Sequence, residues 1–182
     1  MVRLEYLTDP VLSLQVPGQD GPLDGVASAR VSESSRLGEL YVSEGPSIWR
    51  ALLAFTGDEA VAEDALSEAF AQALARGDAL REPARWIWRV AFRVAAGELK
   101  ERRRDAPLEF EPSYEHPDSI AYVIAALGRL SPNQRLAVVL HDYADRPVAE
   151  VAATIGASRA TVHVHLSKGR KRLRSLLEDD DA

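Results

Sequence analysis

The 182-residue chain has no cysteine, which removes disulfides, thiolate metal sites and cysteine nucleophiles together. That absence also fits a reducing interior. Long apolar runs are missing as well: nothing approaches the roughly 20 residues that a membrane span needs, so no membrane insertion is expected. The apolar residues of 4–16 are broken by Glu5, Thr8, Asp9 and Pro10, which is not the pattern of a signal peptide. The chain is therefore read as cytoplasmic. Strand-like alternation never lasts more than a few residues, so the fold class is all-α. There is no internal repeat, no glycine-rich phosphate loop, no metal cluster and no nucleophile–base set, so neither a cofactor nor an enzyme is expected.

Hydrophobic residues make up 46% of the chain, enough for a packed core. The net charge of −6 argues at first against a nucleic-acid partner, but the charges are segregated. Residues 36–68 carry seven acidic and two basic side chains. Residues 81–104 carry eight basic and three acidic, and residues 158–174 carry six basic and none acidic. Such a distribution gives separate surfaces to separate partners.

Proline and periodicity divide the chain. Residues 1–35 hold Pro10, Pro17 and Pro22 and are read as a mostly irregular N-terminal extension, with room for one short helix. Residues 36–104 are periodic and form a first small helical domain. Residues 105–119 contain Pro107, Pro112 and Pro117 and read as a flexible linker. Residues 120–177 form a second helical domain, and 178–182 an acidic tail.

The second domain has the clearest local signals. Ser131-Pro132 starts a helix, and Leu136, Val139, Leu140 and Tyr143 follow its period. Val148, Val151, Ala152 and Ile155 give one face of a short helix. Gly156-Ala157 makes a turn, and Ser158 caps a last helix with a buried stripe of Val162, Leu166, Gly169, Leu173 and Leu176. Two short helices about a glycine turn form a helix-turn-helix. At about 100° per residue, Ala160, His163, Val164, Ser167, Lys168 and Lys171 lie opposite the stripe and face the major groove. Ser158, Arg159, Thr161 and Arg172 border that face. Arg170 and Arg174 also lie within reach of phosphates, which supply affinity while base edges supply choice. A solvated basic helix is the plainer alternative. His163 and His165 point about 160° apart and cannot share a metal ion, and His116 and His141 are isolated.

In the first domain, Val61, Ala65, Leu66, Ala69, Phe70 and Ala73 form an apolar face, after a Thr56-Gly-Asp58 stop-and-start signal. Asp64, Ser67 and Glu68 lie on the other side, where an acidic face is most simply a solvated one. After Pro83, Trp86, Ile87, Val90, Ala91 and Val94 make one face. Trp88 and Phe92 fall opposite, among Arg81, Arg85, Arg89 and Arg93. Exposed rings among cations suit single-stranded nucleic acid. Packing of both rings against a neighbouring helix is an equally open reading of this helix alone. The run Lys100-Glu-Arg-Arg-Arg104 favours nucleic acid.

In order along the chain, these pieces resemble the extracytoplasmic-function (group 4) sigma factors of bacterial RNA polymerase. Leu37-Gly-Glu-Leu-Tyr41, Phe55-Thr-Gly-Asp58 and Ala62-Glu-Asp-Ala-Leu-Ser-Glu-Ala-Phe70 look like regions 2.1 and 2.2. The stretch from Pro83-Ala-Arg-Trp-Ile-Trp-Arg-Val-Ala91 to Arg104 looks like regions 2.3 and 2.4. Leu127-Gly-Arg-Leu-Ser-Pro-Asn-Gln-Arg135 and the helix-turn-helix are similar to region 4. The resemblance implies that Asp64, Ser67 and Glu68 dock on the β′ clamp helices of core polymerase. It implies that Arg81, Arg85, Trp88, Arg89, Phe92, Arg93 and Lys100 open and hold the promoter −10 element. It places the second domain on the β flap, reading the −35 element, with an anti-sigma factor as a further partner. Some positions depart from the family pattern: Ser67 stands for a common Gln, Arg93 for Asn, Gly97 for Asp, and His163 and His165 for basic residues. Neutral histidines weaken phosphate attraction. A stand-alone regulator and a sigma-like interaction protein without promoter activity are the alternatives.

Overall fold

The computed structural model describes residues 23–105 and 118–178. Among these, seven α-helices and no strands are present. The chain order is α1 (Leu23–Thr56), α2 (Glu59–Arg76), α3 (Pro83–Asp105), α4 (Asp118–Gly128), α5 (Pro132–Val138), α6 (Val148–Ile155) and α7 (Arg159–Glu178). No helix among them is long and apolar enough to cross a membrane.

Helix α1 begins at Leu23, within the stretch that composition reads as irregular. Proline explains the misreading. Pro10, Pro17 and Pro22 all precede the helix, whereas residues 23–35 contain none. The linker is expected at 105–119; its residues 106–117 lie outside the described residues, as do 1–22 and 179–182.

Ile48, Ala51, Leu52 and Phe55 recur at helical spacing on α1, and all four are buried. Val61, Ala65, Leu66, Ala69, Phe70 and Ala73 bury the expected face of α2 against them. Gly57 adopts φ +70° between the two helices, in the left-handed region that glycine enters at little cost. Asp58 then caps α2, its carboxylate accepting the Val61 N–H at 3.0 Å. The same carboxylate takes Arg102 Nη1 of α3 at 2.6 Å, tying three helices at one corner. Burial raises the Asp58 pKa, but the Val61 N–H, the Arg102 guanidinium and the Ala60 N–H together hold it below the ordinary aspartate value. Phe55 and Phe92 close the centre, with ring centroids 5.7 Å apart. Burying each such ring contributes about 1.5–3 kcal/mol.

In the C-terminal half, α5 packs on α7. Gly169 makes the close approach possible: a Cβ there would stand 2.9 Å from Val138 Cγ2. After α5 the chain widens into a π-helical segment, Val139–Tyr143. The extra residue breaks the regular period, so Tyr143 is 55% exposed rather than continuing the buried stripe of Leu136, Val139 and Leu140.

The halves share one core. Buried residues of α1, α2 and α3 join those of α4 to α7 in a single hydrophobic cluster. α3 packs on α6, and α1 on α4. At the junction sits Arg135, only 1% exposed. Its Nη1 donates to the Phe55 carbonyl at 2.9 Å and its Nη2 to the Gly128 carbonyl at 3.2 Å. Those carbonyls lie at the C-terminal ends of α1 and α4, where backbone oxygens lack helical partners and the helix dipole is negative. One cation thus satisfies two helix ends. Arg135 is spaced with Val138 and Val139 on the apolar face of its helix, the only sequence signal of its burial.

Candidate nucleic-acid and polymerase interfaces

Helices α6 and α7 form the helix-turn-helix. Gly156 ends α6 in a left-handed conformation, φ 75° and ψ 36°. The Thr161 N–H then donates to Ser158 Oγ at 3.1 Å, capping α7. Val162, Leu166, Gly169 and Leu176 are buried and Leu173 is half-buried, as the stripe requires. Ser158, Arg159, Ala160, Thr161, His163, Val164, Ser167, Lys168, Lys171 and Arg172 are all exposed. This face is free to meet a large partner. Arg170 is less free than its sequence position suggests. Asp142 holds it by two hydrogen bonds, at 2.9 and 2.5 Å, which raises its pKa. His141 Nδ1 lies 2.9 Å from the Arg146 carbonyl, fixing the loop that enters α6.

The α3 face differs from the exposed arginine–aromatic surface considered above. Trp88 is 4% exposed and Phe92 0%. The rings lie nearly parallel, 6.0 Å apart. Trp88 Nε1 donates to Glu44 Oε2 of α1 at 3.1 Å. The Arg146 guanidinium lies 5.1 Å from the Trp88 ring centre. α3 therefore buries both of its apolar faces: Ile87, Val90 and Ala91 on one side, Trp88 and Phe92 on the other. Arg81, Arg85, Arg93 and Lys100 remain exposed, and Arg89 is half-buried. Sequence reasoning missed Glu44, Arg146 and Glu150, because each acts across elements distant in the chain.

On α2, Asp64, Ser67 and Glu68 are exposed, opposite the buried stripe. Glu68 Oε1 accepts Gln72 Nε2 at 2.7 Å, which steadies the carboxylate without neutralising it. Glu63 adds to the same acidic surface. Among the described residues, no group of three His, Asp or Glu side chains is arranged to hold a metal ion.

Comparison with known proteins agrees with this geometry. Residues 120–173 match the family model of sigma-70 region 4, which covers α4 to most of α7. The chain is 32% identical over 134 residues to the ECF RNA polymerase sigma factor SigJ of Mycobacterium tuberculosis. That match covers 64% of this chain but only 43% of SigJ. It is 25% identical to the ECF RNA polymerase sigma factor SigL of the same species, covering 85% of this chain and 96% of SigL. Among solved structures, CnrH in complex with the cytosolic domain of CnrY is similar at a TM-score of 0.65 and 25% identity. That likeness covers 85% of this chain and 95% of CnrH. The ordered helices, the helix-turn-helix and these likenesses point the same way: residues 120–173 match sigma-70 region 4, and the chain as a whole is similar to extracytoplasmic-function sigma factors.

Proposed function

We propose that this protein binds core RNA polymerase and directs it to promoters, α7 reading the −35 element and α3 engaging the −10 element. The observation that carries the reading is the pairing of two opposed surfaces. One is the exposed basic face of α7 within the region 4 match. The other is the exposed acidic face of α2, carrying Asp64, Ser67 and Glu68. The acidic face suits the β′ clamp helices, and the region around α7 suits the β flap. Each partner is recognised mainly by charge, and each would be repelled by the other's surface. Catalysis then belongs to the polymerase. Since CnrH is captured with CnrY, an anti-sigma partner is part of the proposal.

The test is transcription of genomic templates by core polymerase with the purified protein. Promoter-specific transcripts and co-elution with core are expected; absence of both defeats the proposal. The double variant Asp64→Lys/Glu68→Lys should lose at least tenfold in transcript yield while its affinity for −35 duplex DNA stays within twofold. A stand-alone regulator would show no dependence on those two carboxylates.

A further inference from the structure

Helix α7 turns two parallel rows of side chains outward. At four-residue spacing, Ala160, Val164 and Lys168 make one row, and His163, Ser167 and Lys171 make the other. All six are exposed. The two lysines come last in their rows, so the part of the face nearer the capped N-terminus of α7 carries no lysine or arginine. Val164 stands at its middle and is 50% exposed. It belongs neither to the hydrophobic cluster nor to the half-buried side chains packed on that cluster. A β-branched residue is also a mediocre helix former, because it loses rotamer freedom against the preceding turn. Neither core packing nor helix propensity therefore accounts for a valine here. A lone exposed valine is ordinary on a protein surface. This one lies at the centre of the face proposed to enter the groove, with Lys168 one turn further on.

Resting on the proposed function, we infer that Val164 reads a thymine of the −35 element through its C5-methyl group. Thymine alone of the four bases shows a methyl group in the major groove. Valine has no donor or acceptor, so apolar contact with that methyl is the match it can make. Cytosine at the same place would set its amino group against an apolar side chain and leave that donor unsatisfied. The surrounding charges have the complementary task. Lys168 and Lys171 attract phosphates of any sequence, whereas Arg170 is held by Asp142. Charge thus supplies grip, and Val164 supplies choice.

The test deletes a methyl group on each side of the contact. Random-sequence duplexes are selected with the full-length chain, alone and bound to core polymerase. Each thymine of the enriched site is then replaced in turn by deoxyuridine, which removes one methyl and keeps base pairing intact. At one thymine, wild-type affinity should fall about fourfold, the factor for one buried methyl-sized group. Val164→Ala should lose about as much on the natural site, and the same deoxyuridine should then change its affinity by no more than about 1.5-fold. Val164→Thr keeps the size but exchanges a methyl for a hydroxyl, and should also lose most of the sensitivity. Neither variant touches the core, since Val164 is exposed. The dependence of affinity on salt should stay as in the wild type, because no phosphate contact is removed. A site without a sensitive thymine, a sensitivity that survives in Val164→Ala, or a selection that enriches no site overturns the inference. Transcription by core polymerase separates it from the proposed function. Promoter-specific transcripts with no methyl effect sink the thymine contact and spare that function; a methyl effect that depends on Val164, without any transcript, does the reverse.

Discussion

At residue 58, one carboxylate caps α2 and receives a cation from α3. Its pKa is held below the unfolded value, so its contribution to stability is full above about pH 4 and is lost as pH falls through the lower folded value. Asp58→Asn removes the charge while keeping an oxygen for the cap. Urea midpoints of the variant and the wild type should differ near neutrality and converge below about pH 4. A gap that persists at low pH would show that the charge is irrelevant. Arg135 is the second residue of this kind, though fully enclosed. Arg135→Met leaves the Phe55 and Gly128 carbonyls without their donor and should cost at least about 2 kcal/mol. Charge alone does not explain Arg135, since a lysine has no planar fork to span two carbonyls. Arg135→Lys should therefore recover less than half of the loss in denaturant melts.

Among the elements, α7 depends most on a single small residue. Gly169→Ala gains about 1 kcal/mol of helix propensity but pushes a methyl to within 2.9 Å of Val138 Cγ2. Val138 is buried and β-branched, so it yields poorly. Overpacking of this kind costs about 1–3 kcal/mol. A net loss of about 1 kcal/mol is expected, with weaker −35 duplex binding as α7 shifts; a variant more stable than wild type would mean that the α5–α7 contact relaxes freely. The elements also show which signals sequence carries. The cap at Ser158, the turn at Gly156 and the stripe on α7 depend on neighbours in the chain, and all were legible. The apolar face of α2 was legible for the same reason. The π-helical widening at 139–143 was not, because one inserted residue shifts the period without changing composition. The start of α1 was hidden behind a run of prolines that ends where the helix begins.

For the whole molecule, the shared core is the feature sequence could not supply. Trp88 meets neighbours because Glu44 of α1 and Arg146 of the loop before α6 both reach it from distant parts of the chain, and α3 alone supports both readings. The candidate interfaces on α2 and α7 were legible because they are outer faces of amphipathic helices. The α3 face was legible in composition but not in exposure. A common core predicts common unfolding. All three tryptophans, Trp49, Trp86 and Trp88, lie in the N-terminal half, so their fluorescence follows that half while circular dichroism follows both. The two thermal transitions should coincide in the wild type and separate in Arg135→Met. Separate transitions in the wild type would mean that the halves unfold independently.

The hydrogen bond from Arg135 to Phe55 spans 80 positions of the chain. On a ribosome adding about 5–20 residues each second, residue 135 follows residue 55 by roughly 4–16 s. Helix formation is complete in about a microsecond, so the helices α1 to α3 can form long before α5 has been translated. Every newly made molecule therefore passes through an interval in which Glu44 and Phe92, the N-terminal partners of Trp88, have been made and Arg146 has not. The N-terminal helices are thus made before the C-terminal half that packs on them.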